Sequence, residues 1–332
     1  IVVQNSLRDL FELRYYDPNG RHLRTVGRWG QGPFEFYRLL GLQRLRGDSI
    51  LAIGDDERFA VFGPDGERVR EGRLGILSVL PVYTSKSISD QLMVLFKGIG
   101  ATMPDPGLQR GPELLLTYDF ETRQVDTLTT ILGRSTFYER KDRGVWTYAS
   151  PFAVETFVAA GEGQFGVGEA SQDEINAYRP GFREPVVTIR VETEPRDVTR
   201  ADRRRTREAY SELYSGDLGR RWARYARSMS FPDEMPRFGQ LKVDGLGNLW
   251  VQQYETPWAE GDQRWTVYSS GGTHVADVSI PPSALPSCAR RTRSGCGDAY
   301  GFVDIGDDYL LAVRSDELGV PRVQRFELRK LR

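Results

Sequence analysis

Tyr15-Tyr16-Asp17-Pro18-Asn19-Gly20-Arg21 decides the fold, because it comes back as Val61-Phe62-Gly63-Pro64-Asp65-Gly66-Glu67-Arg68-Val69. Each copy is a strand that ends in aromatics, then a Pro-Asn-Gly or Pro-Asp-Gly turn, then a charged, alternating strand such as Leu23-Arg24-Thr25-Val26-Gly27-Arg28. Asn-Gly and Asp-Gly are the strongest short hairpin signals, since the turn needs positive φ at its centre. A hairpin that returns at a spacing in the forties is the signature of a propeller or another repeat array.

Working outward, the same rhythm divides most of the chain. Six units are expected, at 1–37, 38–75, 76–133, 145–197, 236–282 and 298–332. Each holds three or four short strands with tight turns, as a propeller blade does. The fifth is the clearest: Gly239–Val243, the turn Asp244-Gly245-Leu246-Gly247-Asn248, the strand Leu249–Gln253, then Arg264–Tyr268 and the turn Ser269-Ser270-Gly271-Gly272. A Gly- and Pro-rich excursion at 98–111 interrupts the third. The expectation is one all-β domain over 1–332, a six-bladed propeller of four-stranded antiparallel blades.

One segment, 199–229, breaks the β pattern. Thr199 and Asp202 form a start like a capping box, with Asp in place of the usual Glu. A helix over Arg203–Tyr214 and a second over Asp217–Met229 follow, separated at Gly216. Leu218, Trp222, Tyr225 and Met229 recur at helical spacing and make one apolar face. The segment reads as a helical insertion packed on the propeller's face or edge.

Composition bounds the rest. Of the 332 residues, 39% are hydrophobic, enough for a packed core. Lys and Arg total 45 against 46 Asp and Glu, and this near-neutrality argues against a general nucleic-acid binder. No run approaches the ~20 apolar residues that span a bilayer. Ile1-Val2-Val3 reads as the middle of a strand, so further residues are expected before it. The two cysteines, Cys288 and Cys296, share one Pro- and Gly-flanked loop and read as a loop-stapling disulfide, hence an oxidising compartment. Neither histidine lies near them, which argues against a structural zinc.

Three stretches carry a resemblance. Val26-Gly27-Arg28-Trp29-Gly30-Gln31-Gly32-Pro33-Phe34-Glu35-Phe36 resembles the Gly-Arg-x-Gly-x-Gly-Pro-Gly-Glu-Phe linker of NHL-like six-bladed β-propellers, which are abundant among exported bacterial proteins. Val243–Val251 is similar to that family's inner hairpin, and Gly306–Val313 with Asp316–Val320 to its closing blade. One departure is Phe34, where the family has Gly; a surface aromatic filling a groove between blades is expected there. The resemblance implies a propeller fold and export, to the periplasm or the outer face of the cytoplasmic membrane. It implies no catalytic group, and the fold hosts many functions.

Residue chemistry points the same way. His22 and His274 follow hairpin turns on outer strands and read as solvated or hydrogen-bonded side chains. Metal-dependent propeller lactonases set Glu, Asn and Asp around their axis; Glu35, Asn248 and Asp244 are the residues available here, but Asn248 and Asp244 belong to one turn. The pairs Asp55-Asp56 and Asp307-Asp308 lack the spacing of a calcium loop. No nucleophile elbow or phosphate loop appears, and neither a cofactor nor a metal is expected. The insertion, by contrast, holds nine arginines against four acids. Arg203, Arg204, Arg220, Arg221 and Arg224, with Trp258 in the loop 256–260, are the candidate contacts for an acidic protein partner or for anionic headgroups in a peripheral membrane contact. The expected function is a non-enzymatic protein-binding or scaffolding propeller, in its concrete form a membrane-extrinsic subunit of an envelope complex. A metal-dependent lactonase- or hydrolase-like enzyme and a carbohydrate or peptide sensor stand as alternatives.

Overall fold

The structure is a computed structural model of the chain. It describes all residues except 8, 9, 55, 76–81, 88–91, 99–104, 142, 143, 150, 151, 162, 180, 182, 213–215, 257, 260, 282–301, 316–320 and 329–332. The loop carrying Cys288 and Cys296 thus lies outside the described residues, as does Asp55. Two compact units are formed. The first comprises Ile1–Gly100, Glu113–Ile131 and Ala160–Gln164, the second Ala101–Pro112, Leu132–Ala159 and Phe165–Arg332.

The fold is all-β and of propeller type, built from antiparallel blades. In the first unit, Val2–Leu7, Leu10–Tyr16 and His22–Val26 form a three-stranded sheet. A four-stranded one follows, of Leu39–Arg44, Ile50–Gly54, Arg58–Phe62 and Arg68–Arg73. Val82–Ser87, Leu92–Gly98, Pro112–Asp119 and Val125–Leu132 make a second four-stranded sheet. The second unit carries most of the four-stranded sheet Thr156–Gly161, Gln164–Glu169, Glu174–Tyr178 and Val187–Arg190. It also holds the four-stranded sheet Phe238–Val243, Leu249–Gln253, Gln263–Tyr268 and His274–Ile280, and the three-stranded sheet Phe302–Ile305, Tyr309–Ser315 and Pro321–Glu327.

The six-bladed expectation is corrected to five blades, and among the described residues four sheets have four strands while those nearest the chain ends have three. The fourth expected unit also starts too early. Gly144–Ala149 pairs with Thr136–Lys141, and Thr136–Tyr138 pairs in turn with Gly107–Gln109, making a separate three-stranded sheet. Part of the Gly- and Pro-rich excursion is thus a strand rather than a loop.

Within a blade, burial falls from the middle strands to the outer one. Ile50–Gly54 is buried throughout and Arg58–Phe62 nearly so, whereas Arg68–Arg73 is largely exposed. A middle strand covered on both faces needs apolar residues at every position. Its neighbour at the sheet edge can alternate and carry charge, which discourages pairing with other chains. The two faces of a middle strand then serve two different cores. Ala52, Ala60 and Phe62 pack with Leu13, Tyr15, Phe36 and Leu39 of the preceding elements. Leu51, Ile53, Phe59 and Val61 pack with Leu116, Tyr118 and Phe120 of the following sheet. The second unit repeats this: Leu249 and Val251 face Ile175 and Ile189, while Trp250, Trp265 and Val267 face Ile305, Leu310 and Ala312. This is the period of two made three-dimensional.

The turns are also alike. Asp17 accepts from the N–H groups of Asn19 (2.9 Å) and Arg21 (2.8 Å). Asp244 accepts from Leu246 (2.9 Å) and Asn248 (2.8 Å) and, through its other oxygen, from Asn248 Nδ2 and Trp250 Nε1, both at 2.9 Å. A carboxylate that opens the turn therefore replaces backbone acceptors the sharp bend cannot supply. Replacing Asp244 by Ala should lower unfolding free energy by about 2–3 kcal/mol, since it strands several donors at once; Asp244→Asn should cost less. Chemical denaturation of the three proteins measures this, and an unchanged midpoint for Asp244→Ala would refute it.

Candidate partner-binding surface

The helical insertion rises from a short β-like stalk. Asp197 bridges Glu234, Val198 donates to the Asp233 carbonyl (2.7 Å) and Met235 donates to that of Arg196 (2.8 Å). Helix α1, Arg200–Glu212, begins three residues earlier than the sequence suggested, directly after Thr199. There Asp202 accepts from the Thr199 N–H (3.0 Å) and Thr199 Oγ1 accepts from the Asp202 N–H (3.2 Å), a reciprocal cap. Helix α2, Gly216–Ser228, follows.

Both helices are seated by aromatic contacts. Tyr225 and Met229 are buried with Phe137, partly covered by Leu108 and Phe231. The Tyr225 and Phe137 rings lie 5.6 Å apart. The Arg207 guanidinium sits 5.0 Å over Phe231 and that of Arg205 5.4 Å over Trp258.

The six candidate contacts separate accordingly. Arg203 is half-buried and paired with Asp233 at 3.3 Å, so it anchors α1. Arg204 is exposed, with Glu208 one turn on at 3.9 Å. Trp258 is half-buried, edge-on to Phe152 at 5.7 Å and beneath Arg205, so it is a seat for the insertion rather than a free aromatic. Arg220 and Arg224 are exposed on α2, and the side chain of Arg221 lies outside the described residues. Arg227, which sequence reasoning left out of the set, is exposed too and extends the same row. Its four-then-three spacing was the available signal.

Elsewhere the reactive residue types serve local structure. His22 Nε2 lies 2.9 Å from Thr25 Oγ1, and His274 pairs with Asp277 at 3.3 Å; both are exposed. Asp56 pairs with Arg58, and Asp308 with Arg325. Among the described residues no group of three His, Cys, Asp or Glu side chains is placed to hold a metal ion. In the second unit Arg110 binds the Gly133 carbonyl (2.8 Å), Glu169 (2.6 Å) and the Leu132 carbonyl (3.1 Å). Burial alone would raise the Glu169 pKa, but the Ser171 hydroxyl and Arg110 outweigh it and hold it low.

The loop Gly27–Phe36 is tied by several hydrogen bonds. Glu35 accepts from the Gly32 N–H (2.8 Å) and from Arg28, while Arg58 donates to the carbonyls of Gly30, Gln31 and Gly32. Phe34 has φ of 58°, the left-handed region where Gly would be at ease. It is half-buried rather than a surface residue: its ring meets Phe62 at 5.5 Å, Arg68 covers it at 5.3 Å, and its N–H donates to Glu71 (2.8 Å). This knot presents two aromatics that sequence reasoning did not single out. Trp29 and Tyr37 are each 44% exposed, with ring centroids 4.7 Å apart.

No family model of known proteins matches the chain, and no curated protein matches it. Among solved structures, a "Putative exported protein" from Bacteroides fragilis is similar at 13% identity and a TM-score of 0.44, covering 94% of this chain and 78% of that one. The β-propeller domain of Myceliophteria thermophila Cps50 (Swd1) is similar at 11% identity and a TM-score of 0.35, covering 99% and 94%. Likenesses this distant carry no functional argument.

The Gly32 N–H first, and Arg28 second, hold the Glu35 carboxyl below the ordinary carboxylate range. Its stabilising effect is therefore present above that range and lost as pH falls through the lower folded-state value. The stability deficit of Glu35→Gln relative to wild type should shrink on acidification, as read by denaturation across the acid limb. A deficit that stayed constant with pH would contradict this.

Proposed function

We propose that this chain is a non-enzymatic, NHL-like propeller that binds a protein partner, acting as an exported, membrane-extrinsic subunit of an envelope complex. The observation that carries the reading is the helical insertion: a capped, stalk-held pair of helices that turns Arg204, Arg220, Arg224 and Arg227 outward. Arginine is the cation best suited to protein interfaces, because its planar fork pairs with carboxylates bidentately. Glu35, Asp244 and Asn248, the residues a metal-dependent propeller enzyme would draw on, already tie their own turns. No helix among the described residues is long and apolar enough to cross a membrane, so membrane association would come through a partner or through chain outside them. Gentle isolation of the native protein from its membrane fraction, with cross-linking, tests this. A membrane protein complex should stay with it. A lone protein that turns over a lactone, with activity lost on Glu35→Gln, would overturn it.

A second reading, a carbohydrate or peptide sensor, is supported by the exposed Trp29–Tyr37 pair on its rigid loop. Titration with oligosaccharides or proline-rich peptides should then shift the tryptophan emission of the wild type and not of Trp29→Phe. Equal shifts in both proteins would remove this reading.

A further inference from the structure

We infer that Arg220, Arg224 and Arg227 of α2 form a linear reader of carboxylates, and that the partner docks there through an acidic helical segment. The inference rests on the protein-binding reading above and names the chemistry of the partner. Residues four and three apart share one face of a helix and span about 10 Å of its axis. All three side chains are exposed, while Gly219, Tyr225, Ala226 and Met229 on the other side of α2 are buried. The aromatic seating fixes that orientation, so the stripe cannot roll inward.

Charge sharpens the point. The insertion carries nine arginines and four acids, a net of +5 within a chain of net charge −1, so the remainder carries −6. No acid stands three or four residues from Arg224 or Arg227 in the sequence, and neither guanidinium has an ion pair among the described residues. Like charges one turn apart destabilise a helix. Arg224 and Arg227, one turn apart and solvent-facing, gain from an arriving row of anions. A row of carboxylates at the same helical spacing matches it group for group, with bidentate geometry.

Two other anionic surfaces fit less well. An amphipathic helix that lies on a membrane needs apolar side chains free to enter it. Of the described apolar side chains of α2, Tyr225 and Ala226 are buried and Ala223 is half-buried, and no exposed large hydrophobic among the described residues lies in the insertion. A nucleic-acid ligand would meet a chain that is otherwise net negative.

The test uses the full chain and three probes: a helical peptide with glutamates at i, i+4 and i+7, a peptide of identical composition with the spacing scrambled, and phosphatidylserine–phosphatidylcholine vesicles. The ordered peptide should bind, weakening as salt rises from about 50 to about 300 mM. Arg224→Glu with Arg227→Glu should weaken it about tenfold or more, while the reversal Arg44→Glu, at an exposed arginine of the first unit, should leave it unchanged. Should the double reversal disturb the helices by circular dichroism, Arg224→Gln with Arg227→Gln replaces it with the same expectation. Equal binding of the scrambled peptide, indifference to the double substitution, or binding to vesicles alone would each overturn the inference. If the native partner co-purifies as strongly with the double variant, the stripe falls and the scaffold reading stands. If nothing co-purifies with the wild type, the scaffold reading itself falls.

Discussion

The constraint on which the blades depend is the close approach of a turn glycine to the sheet before it. Gly66, at φ of 78°, closes the Pro-Asp-Gly turn, and a Cβ there would lie 3.0 Å from Val26 Cγ1 and 3.2 Å from Arg24 Cδ. Gly272, at φ of 82°, closes the Ser-Ser-Gly-Gly turn, where a Cβ would lie 2.7 Å from Val187 Cγ1. Each turn is thus both a reversal of the chain and a plug against its neighbour. Around the first, Tyr15 donates to the Gly63 carbonyl (3.2 Å) and Arg24 to that of Asp65 (2.7 Å). Burial there pushes the Tyr15 hydroxyl pKa up to about 12, so this donor stays protonated throughout the physiological range. With the turn seated, the alternate faces of the middle strands meet the right cores on both sides.

The same economy of turns bears on chemistry. Asp17 and Asp119 each turn one oxygen to backbone donors of their own turns, Asp244 ties one oxygen to backbone and the other to Asn248 and Trp250, and Glu35 ties the Gly27–Phe36 knot. A carboxylate so occupied is a poor starting point for a metal ligand or general base without dismantling the turn. The insertion is different, because its cap and its aromatic seating leave Arg224 and Arg227 on the exposed face of α2. The hairpins thus hold the blades, and the helix pair is the surface proposed above for a partner.

Much of this was legible in the residues, and the rest was hidden for physical reasons. The repeated Pro-Asn-Gly and Pro-Asp-Gly turns gave the hairpins, and alternation gave most strands, because both signals are local. Blade count was not local: whether Gly144–Ala149 joins the following sheet or pairs back on Thr136–Lys141 depends on competing partners of similar β pattern. Register shifts on the opening strands, as between Leu39 and Gly41 or Phe238 and Leu241, also leave no signature in composition. At Phe34 a surface aromatic was expected, and neither its left-handed backbone nor the packing of its ring on Phe62 was read from the residues. Trp258 looked like a free interface anchor because it stands in a loop; its partners Phe152 and Arg205 are distant in sequence. Helical spacing signalled the Arg220–Arg224–Arg227 row, but the sequence reading took Arg220, Arg221 and Arg224 and left out Arg227.

Chemical denaturation of Gly20→Ala, Gly66→Ala and Gly272→Ala separates a turn that plugs its neighbouring sheet from one that only reverses the chain. All three glycines have nearly the same positive φ, but nothing lies within 4 Å of a Cβ at Gly20. Gly20→Ala should therefore cost only the backbone term, about 1–2 kcal/mol. The other two should cost at least about 1 kcal/mol more, because the turn is forced off its neighbouring sheet. Equal losses at all three positions would contradict the account and reduce the recurring turn to a reversal of the chain.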